Sequence, residues 1–241
     1  MEEVTPVMMF DPMWIVLALP GILLGMWASF KVRGAYGRAS QIPSRRGRTG
    51  ADVAGEILDA EGIRDVRIES TSGLLTDHYH PGERTLRLSE DNFHSDSLAA
   101  VGISAHEVGH AIQHARNYFP MTVRSALVPV TQVGSIVSQI GILGGLLMMA
   151  VAPVLGHTLL LWAILGYAAV FLFTLVTLPV EFNASSRALR VLADRGLVDE
   201  DELPEVKRVL DAAALTYVAG AASVLGALLY AITLYGRTSE D

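Results

Sequence analysis

Three stretches of the chain contain no Asp, Glu, Lys or Arg: Pro12 to Phe30, Ser125 to Val180 and Ala212 to Gly236. A helix that crosses a bilayer takes roughly 20 apolar residues, so the outer two stretches hold one helix each and the middle one holds two. The middle stretch is expected to fold back at Ala152 to Thr158 (APVLGHT), where Pro153 and Gly156 interrupt helical continuity and His157 is the only ionisable group. The pattern therefore predicts four spans, near Met13–Phe30, Ala126–Val151, Thr158–Val180 and Leu215–Tyr235. The leader before the first stretch, MEEVTPVMMFD, is acidic where a secretion signal would be basic, and no clear small-residue cleavage site follows, so that stretch reads as a retained anchor.

Between the first two spans the pattern changes period. Thr49 to Ile63 places Val53, Ile57 and Leu58 at helical spacing and stops at Gly62, which predicts a short amphipathic helix. DVRIES and TLRLSE alternate apolar and polar residues as strands do, with GLLTDHYHPGER between them and a turn at Pro81 and Gly82. The next run, from His94 to Pro120, has Ser95 or Ser97 to cap a helix, Asp96 at its positive end and Pro120 to end it.

Composition sharpens this picture. Hydrophobic residues make up 51% of the 241 and charged residues 18%, the balance of a membrane protein. Lys31, Arg33, Arg38, Arg45, Arg46 and Arg48 follow the first span without an acid among them, which predicts that this side is cytoplasmic. Arg116 and Arg124 before the second span, and Arg187, Arg190, Arg195, Lys207 and Arg208 between the third and fourth, agree. Both termini are then outside. The expected organisation is 1–30, tail and first span; 31–124, a cytoplasmic segment; 125–180, second and third spans; 181–211, a cytoplasmic helical segment; and 212–241, fourth span and tail. A net charge of −7 gives no reason to expect nucleic-acid binding, and the absence of cysteine excludes disulfides and thiolate ligands.

The candidate chemistry lies in SAHEVGHAIQHARNYF, Ser104 to Phe119. His106 and His110 are four residues apart, so on a helix both imidazoles leave one face and reach one ion. Glu107 leaves about 100° round from His106, placed to hold a water without ligating the metal. This is the H-E-x-x-H pattern of zinc hydrolases, in which the glutamate takes the proton of a metal-activated water. Gly109 inside it reads either as a point of close helix approach or as a tolerated helical glycine. A catalytic zinc takes three protein ligands. His114 lies about 12 Å along the helix from His106, too far to share its ion, and reads as a residue that supports the site without touching the ion, or as a solvated group. Glu181, which ends the middle charge-free run, is the stronger third ligand, the alternative being an interfacial charge that marks the end of a span. Asn183, Ser185 and Arg187 lie within two turns of it, either as supporting partners or as polar residues near a helix end. Arg187 has two further readings, steadying an oxyanion or the ligating glutamate. LLTDHYHP reads either as an edge strand and loop where His78, Tyr79 or His80 meets an extended peptide, or as a polar hairpin loop.

SAHEVGHAIQH, LPVEFNASSRAL and LLTDHYHP…LRLS together resemble the bacterial neutral zinc metallopeptidases of the YugP type, over most of the chain. More distantly, the stretch around Glu181 is similar to the Glu-x-x-Ala-Asp stretch of the HtpX and CAAX prenyl protease families. The resemblance implies zinc on His106, His110 and Glu181 with Glu107 as general base. Where the distant relatives have aspartate this chain has Ser185, so that carboxylate is absent or supplied elsewhere. The fold expected is a mainly α membrane protein, four transmembrane helices with a small α+β cytoplasmic zincin-like metallopeptidase domain.

The function expected is that of a membrane-anchored zinc endopeptidase of the gluzincin type in the plasma (inner) membrane, with its site facing the cytoplasm and peptides or membrane proteins as substrates. Two rivals stand beside it: an intramembrane site-2-type protease, whose histidine helix would itself span the bilayer, and a non-proteolytic membrane scaffold or chaperone-like subunit with a structural metal. The G-x-x-x-G pairs Gly21/Gly25 and Gly141/Gly145 allow close helix packing, within the chain or in a homo-oligomer.

Overall fold

A computed structural model describes residues 11–239 of the chain. The rest of the acidic leader and residues 240 and 241, both assigned outside from the charge pattern, fall beyond the described residues. The chain runs α1 (Pro12–Ala39), α2 (Gly50–Ala60), β1 (Arg67–Thr71), β2 (His78–His80), β3 (Thr85–Ser89), α3 (Glu90–His94), α4 (Leu98–Ala115), α5 (Phe119–Met149), α6 (Pro153–Asp194) and α7 (Leu203–Ser239). It divides into two compact units, one of Met1–Trp27, Arg124–Val176 and Tyr217–Asp241, the other of Ala28–Val123 and Thr177–Thr216.

The first unit is built from stretches of α1, α5, α6 and α7, which among the described residues are the four helices long and apolar enough to cross a membrane. α4 is not among them. Their large side chains face outward, among them Val16, Ile136, Leu147 and Trp162, as lipid contact requires and water would penalise. Glycines let the backbones meet inside. A Cβ on Gly21 would lie 2.6 Å from Ser223 Cα, one on Gly141 2.7 Å from the Leu159 carbonyl, and one on Gly145 2.8 Å from Leu160 Cγ. Three of the four glycines in the two G-x-x-x-G pairs are thus used on close approaches within the chain, while a Cβ added to Gly25 would meet no other segment within 4 Å.

The helices overrun the charge-free windows, because the charged residues beyond Phe30 and Val180 end the apolar run without ending the helix; Lys, Arg and Glu are good helix formers. The turn between α5 and α6 is confined to residues 150–152. Pro153 opens α6, where its missing N–H has no helical partner to lose, and Gly156 lies inside the helix with room for no Cβ, since one would meet Met149 N at 2.9 Å.

In the second unit the short helix is α2, closed at its start by a capping box in which the Thr49 hydroxyl accepts from the Asp52 N–H and the Asp52 carboxylate accepts from the Thr49 N–H. Gly62, at φ +71°, turns the chain away from it. The sheet order is β1-β3-β2, with β1 parallel to β3 and β2 antiparallel to it, Tyr79 opposite Leu86. Central β3 is covered on both faces, with Leu86 and Leu88 fully buried, and β2 is an edge. Val53, Ile57, Val101, Val108, Leu192 and Val206 join these leucines in one core around α4.

α4 starts at Ser97, whose hydroxyl accepts from the Ala100 N–H. Pro120 does not end it. The helix stops at Ala115, Asn117 takes a left-handed turn at φ +50°, and Pro120 sits in the first turn of α5, where its lost N–H costs nothing.

Candidate metal centre

His106 and His110 leave α4 one turn apart with ring centroids 4.8 Å from each other. Glu181 reaches them from α6. The two helices touch backbone to backbone, since a Cβ on Gly109 would stand 2.7 Å from the Ala184 carbonyl oxygen. This contact brings the Glu181 carboxylate against both rings, its Oε2 3.3 Å from His106 Nε2 and 3.5 Å from His110 Nε2. One ligand atom from each residue lies within 4.8 Å of the other two. Ligands at zinc's usual bond lengths stand about 3.3 Å apart round a tetrahedral ion, so the two nitrogen-to-oxygen separations fit zinc as they are.

The rings are held from behind. His110 Nδ1 lies 3.0 Å from Gln113 Oε1, and Gln113 Nε2 donates to the Val180 carbonyl at 2.8 Å and to Asn183 Oδ1 at 3.0 Å. A carbonyl only accepts, so the bond to Val180 fixes which end of the amide is nitrogen. Gln113 Oε1 then takes the proton of His110 Nδ1, which leaves Nε2 to face Glu181. Asn183 Oδ1 also accepts from Arg187 Nε at 2.7 Å, and the Arg187 guanidinium lies over the Tyr118 ring. Arg187 therefore supports the histidine side of the site through Asn183 and Gln113. His106 Nδ1 lies 3.0 Å from the Ser185 hydroxyl, so the residue that replaces aspartate still contacts a ring.

Glu107 has its own partner, the Tyr79 N–H on β2, which donates to Oε2 at 3.0 Å. The edge strand of the LLTDHYHP reading is thus present, with the Tyr79 N–H directed at Glu107. His114 stands outside the three-residue cluster, its Nδ1 2.8 Å from the Tyr79 hydroxyl. His78 is exposed and binds the Thr76 carbonyl through Nδ1, away from the centre. Sequence reasoning missed Gln113, which is fully buried. The signal that would have found it is an amide three residues beyond the second histidine, one turn along the same face.

Burial alone would push the Glu181 carboxyl up, but hydrogen bonds from His106 and His110 override it and hold the group well below the usual carboxylate range. Burial likewise favours neutral His110, and the hydrogen bond and charge of Glu181, with the charge of Glu107, outweigh it and raise the imidazole. The centre thus pairs carboxylate with imidazole in one buried spot, the donor set of a divalent cation with affinity for nitrogen and oxygen.

Four membrane-length apolar helices and a two-histidine, one-glutamate set that could hold a metal ion define the class: a mostly helical protein of membrane-protein type with a candidate metal centre. The comparisons narrow the class. The model of the family described as "Putative neutral zinc metallopeptidase" matches residues 14–236, and the chain belongs to that family. It is 41% identical over 223 residues, 92% of this chain and 96% of the relative, to "Putative membrane protease YugP" of Bacillus subtilis (strain 168). No solved structure matches it.

Proposed function

We propose that the chain is a membrane-anchored zinc endopeptidase of the gluzincin type, with zinc on His106, His110 and Glu181 and Glu107 as general base. The observation that carries this reading is the meeting of Glu181 Oε2 with both Nε2 atoms at 3.3 and 3.5 Å. Zinc, when bound there, supplies a Lewis acid for the scissile carbonyl and lowers the pKa of the attacking water. Glu107 accepts a proton from that water as its oxygen attacks the carbonyl carbon, then delivers it to the amide nitrogen as the C–N bond breaks. Gln113 and Ser185 keep the imidazoles turned toward the ion, and burial of Glu181 and His110 limits competing water.

The fold suits a small α+β zincin-like domain, made of α2 to α4 and the sheet, on a four-helix anchor. The basic residues after the first span and between the third and fourth spans support a cytoplasmic placement of this domain at the inner membrane. Membrane proteins, or loops that emerge near the bilayer, are the substrates this arrangement would reach. The test is cleavage of fluorescently labelled casein by detergent-purified protein, parent against Glu107→Gln. A drop in kcat of about a thousandfold or more with zinc still bound is expected for loss of a general base. Equal cleavage by both proteins contradicts the assignment.

A further inference from the structure

We propose that Tyr79 and His114 form a clamp that positions Glu107 for proton transfer, an inference that rests on the peptidase reading above. β2 is only His78–His80, an edge strand joined to the sheet through β3 alone. Its pairs alternate along an antiparallel ladder, and the Tyr79 N–H, given to Glu107, points away from β3. The phenol of the same residue reaches His114 Nδ1 at 2.8 Å, with the rings tilted and 5.9 Å apart. Glu107 and His114 are seven residues apart on α4, two turns on one face, so one tyrosine is fastened to the helix at two points about 10 Å apart.

The backbone point occupies Glu107 Oε2, and among the described hydrogen bonds none reaches Oε1. One carboxylate oxygen is thereby anchored and the other left to take the proton. The side-chain point keeps the three-residue strand from sliding or lifting, which would swing the N–H off the carboxylate. His114 acts through Tyr79 and touches neither the cluster nor Glu107, so both are positioning residues. The clamp also accounts for a third histidine on this helix that cannot share the ion of the other two.

The experiment uses the full-length protein in detergent, with Tyr79→Phe, His114→Leu, the double variant and His114→Asn, whose side-chain amide takes the place of Nδ1. Zinc per chain, casein kinetics and backbone hydrogen exchange of the 77–80 segment are measured together. Expected for Tyr79→Phe and His114→Leu are unchanged zinc, nearly unchanged KM, a kcat about tenfold lower and faster exchange of the segment. The double variant should be no worse than either single one, because both cut the same link, and His114→Asn should recover most of kcat. Parent-like kcat and exchange in Tyr79→Phe would overturn the clamp, as would losses that multiply in the double variant. If the parent cleaves no casein, the peptidase reading fails by itself. Exchange then decides the clamp: faster exchange in both single variants upholds it as the hold on Glu107, and unchanged exchange refutes it.

Discussion

At the residue scale the candidate site depends on groups outside the His106, His110 and Glu181 set. Gln113 makes three hydrogen bonds from a fully buried position, and each removes a choice: Val180 orients the amide, the amide sets the His110 tautomer, and Asn183 ties both to Arg187. Gln113→Leu keeps the volume and deletes all three bonds. We expect it to weaken zinc binding by roughly 10–100-fold, read by competition with a chromophoric chelator. Unchanged affinity would mean that the His110 tautomer is set elsewhere. His106, Glu107 and His110 were legible in the sequence because helical spacing alone puts the two imidazoles on one face and Glu107 about 100° round from His106. Gln113 was not, because a glutamine in an amphipathic helix reads as a solvent-facing residue until the partner helix is known. Ser185 was legible as a possible supporting partner beside Glu181, but that its hydroxyl would meet His106 depends on the same partner helix.

At the scale of elements, the centre exists because α4 and α6 approach to backbone contact at Gly109. A methyl group there must displace the Ala184 carbonyl or move α4, so Gly109→Ala should lose about 1–3 kcal/mol of stability and most of its zinc affinity, measured by thermal unfolding and metal content. Gly55 in α2 is the control: its Cβ would make only an ordinary 3.8 Å contact with Ile68 Cδ1, and Gly55→Ala should stabilise by up to about 1 kcal/mol. A Gly109→Ala protein as stable and as zinc-rich as the parent would refute the close-contact account. Charge-free windows marked four long helices, and alternation marked β1 and β3. The windows located the apolar stretches and not the helix ends, because apolarity reports the membrane while helix length reports propensity and capping. α3 is too short to show a period, and Pro120 misled because a proline near the end of one helix serves equally well in the first turn of the next.

At the scale of the molecule, the four apolar helices and the charge pattern make a topological prediction that the lack of cysteine allows to be tested cleanly. In intact cells, a membrane-impermeant maleimide should label Val151→Cys and spare Ser70→Cys until the cells are opened. The reverse pattern would place the metal centre on the outer side. The centre also ties stability to pH. His110 is raised, so in protein stripped by a chelator its contribution is full below the ordinary imidazole value of about 6.5 and is lost as the pH climbs through its folded value. Glu181 is lowered, so its contribution is present above the ordinary carboxylate value and is lost only in strong acid. The Tm of stripped protein should therefore fall as pH rises past neutrality, while zinc affinity climbs because protons leave His110. A stripped-protein Tm that rises over that range would contradict the pairing. The central claim is the identity of the third ligand, and the most direct test is zinc per chain by elemental analysis of detergent-purified parent, Glu181→Ala and His114→Ala. One zinc in the parent and in His114→Ala, with none in Glu181→Ala, is the predicted result; zinc retained by Glu181→Ala, or lost from His114→Ala, would contradict it.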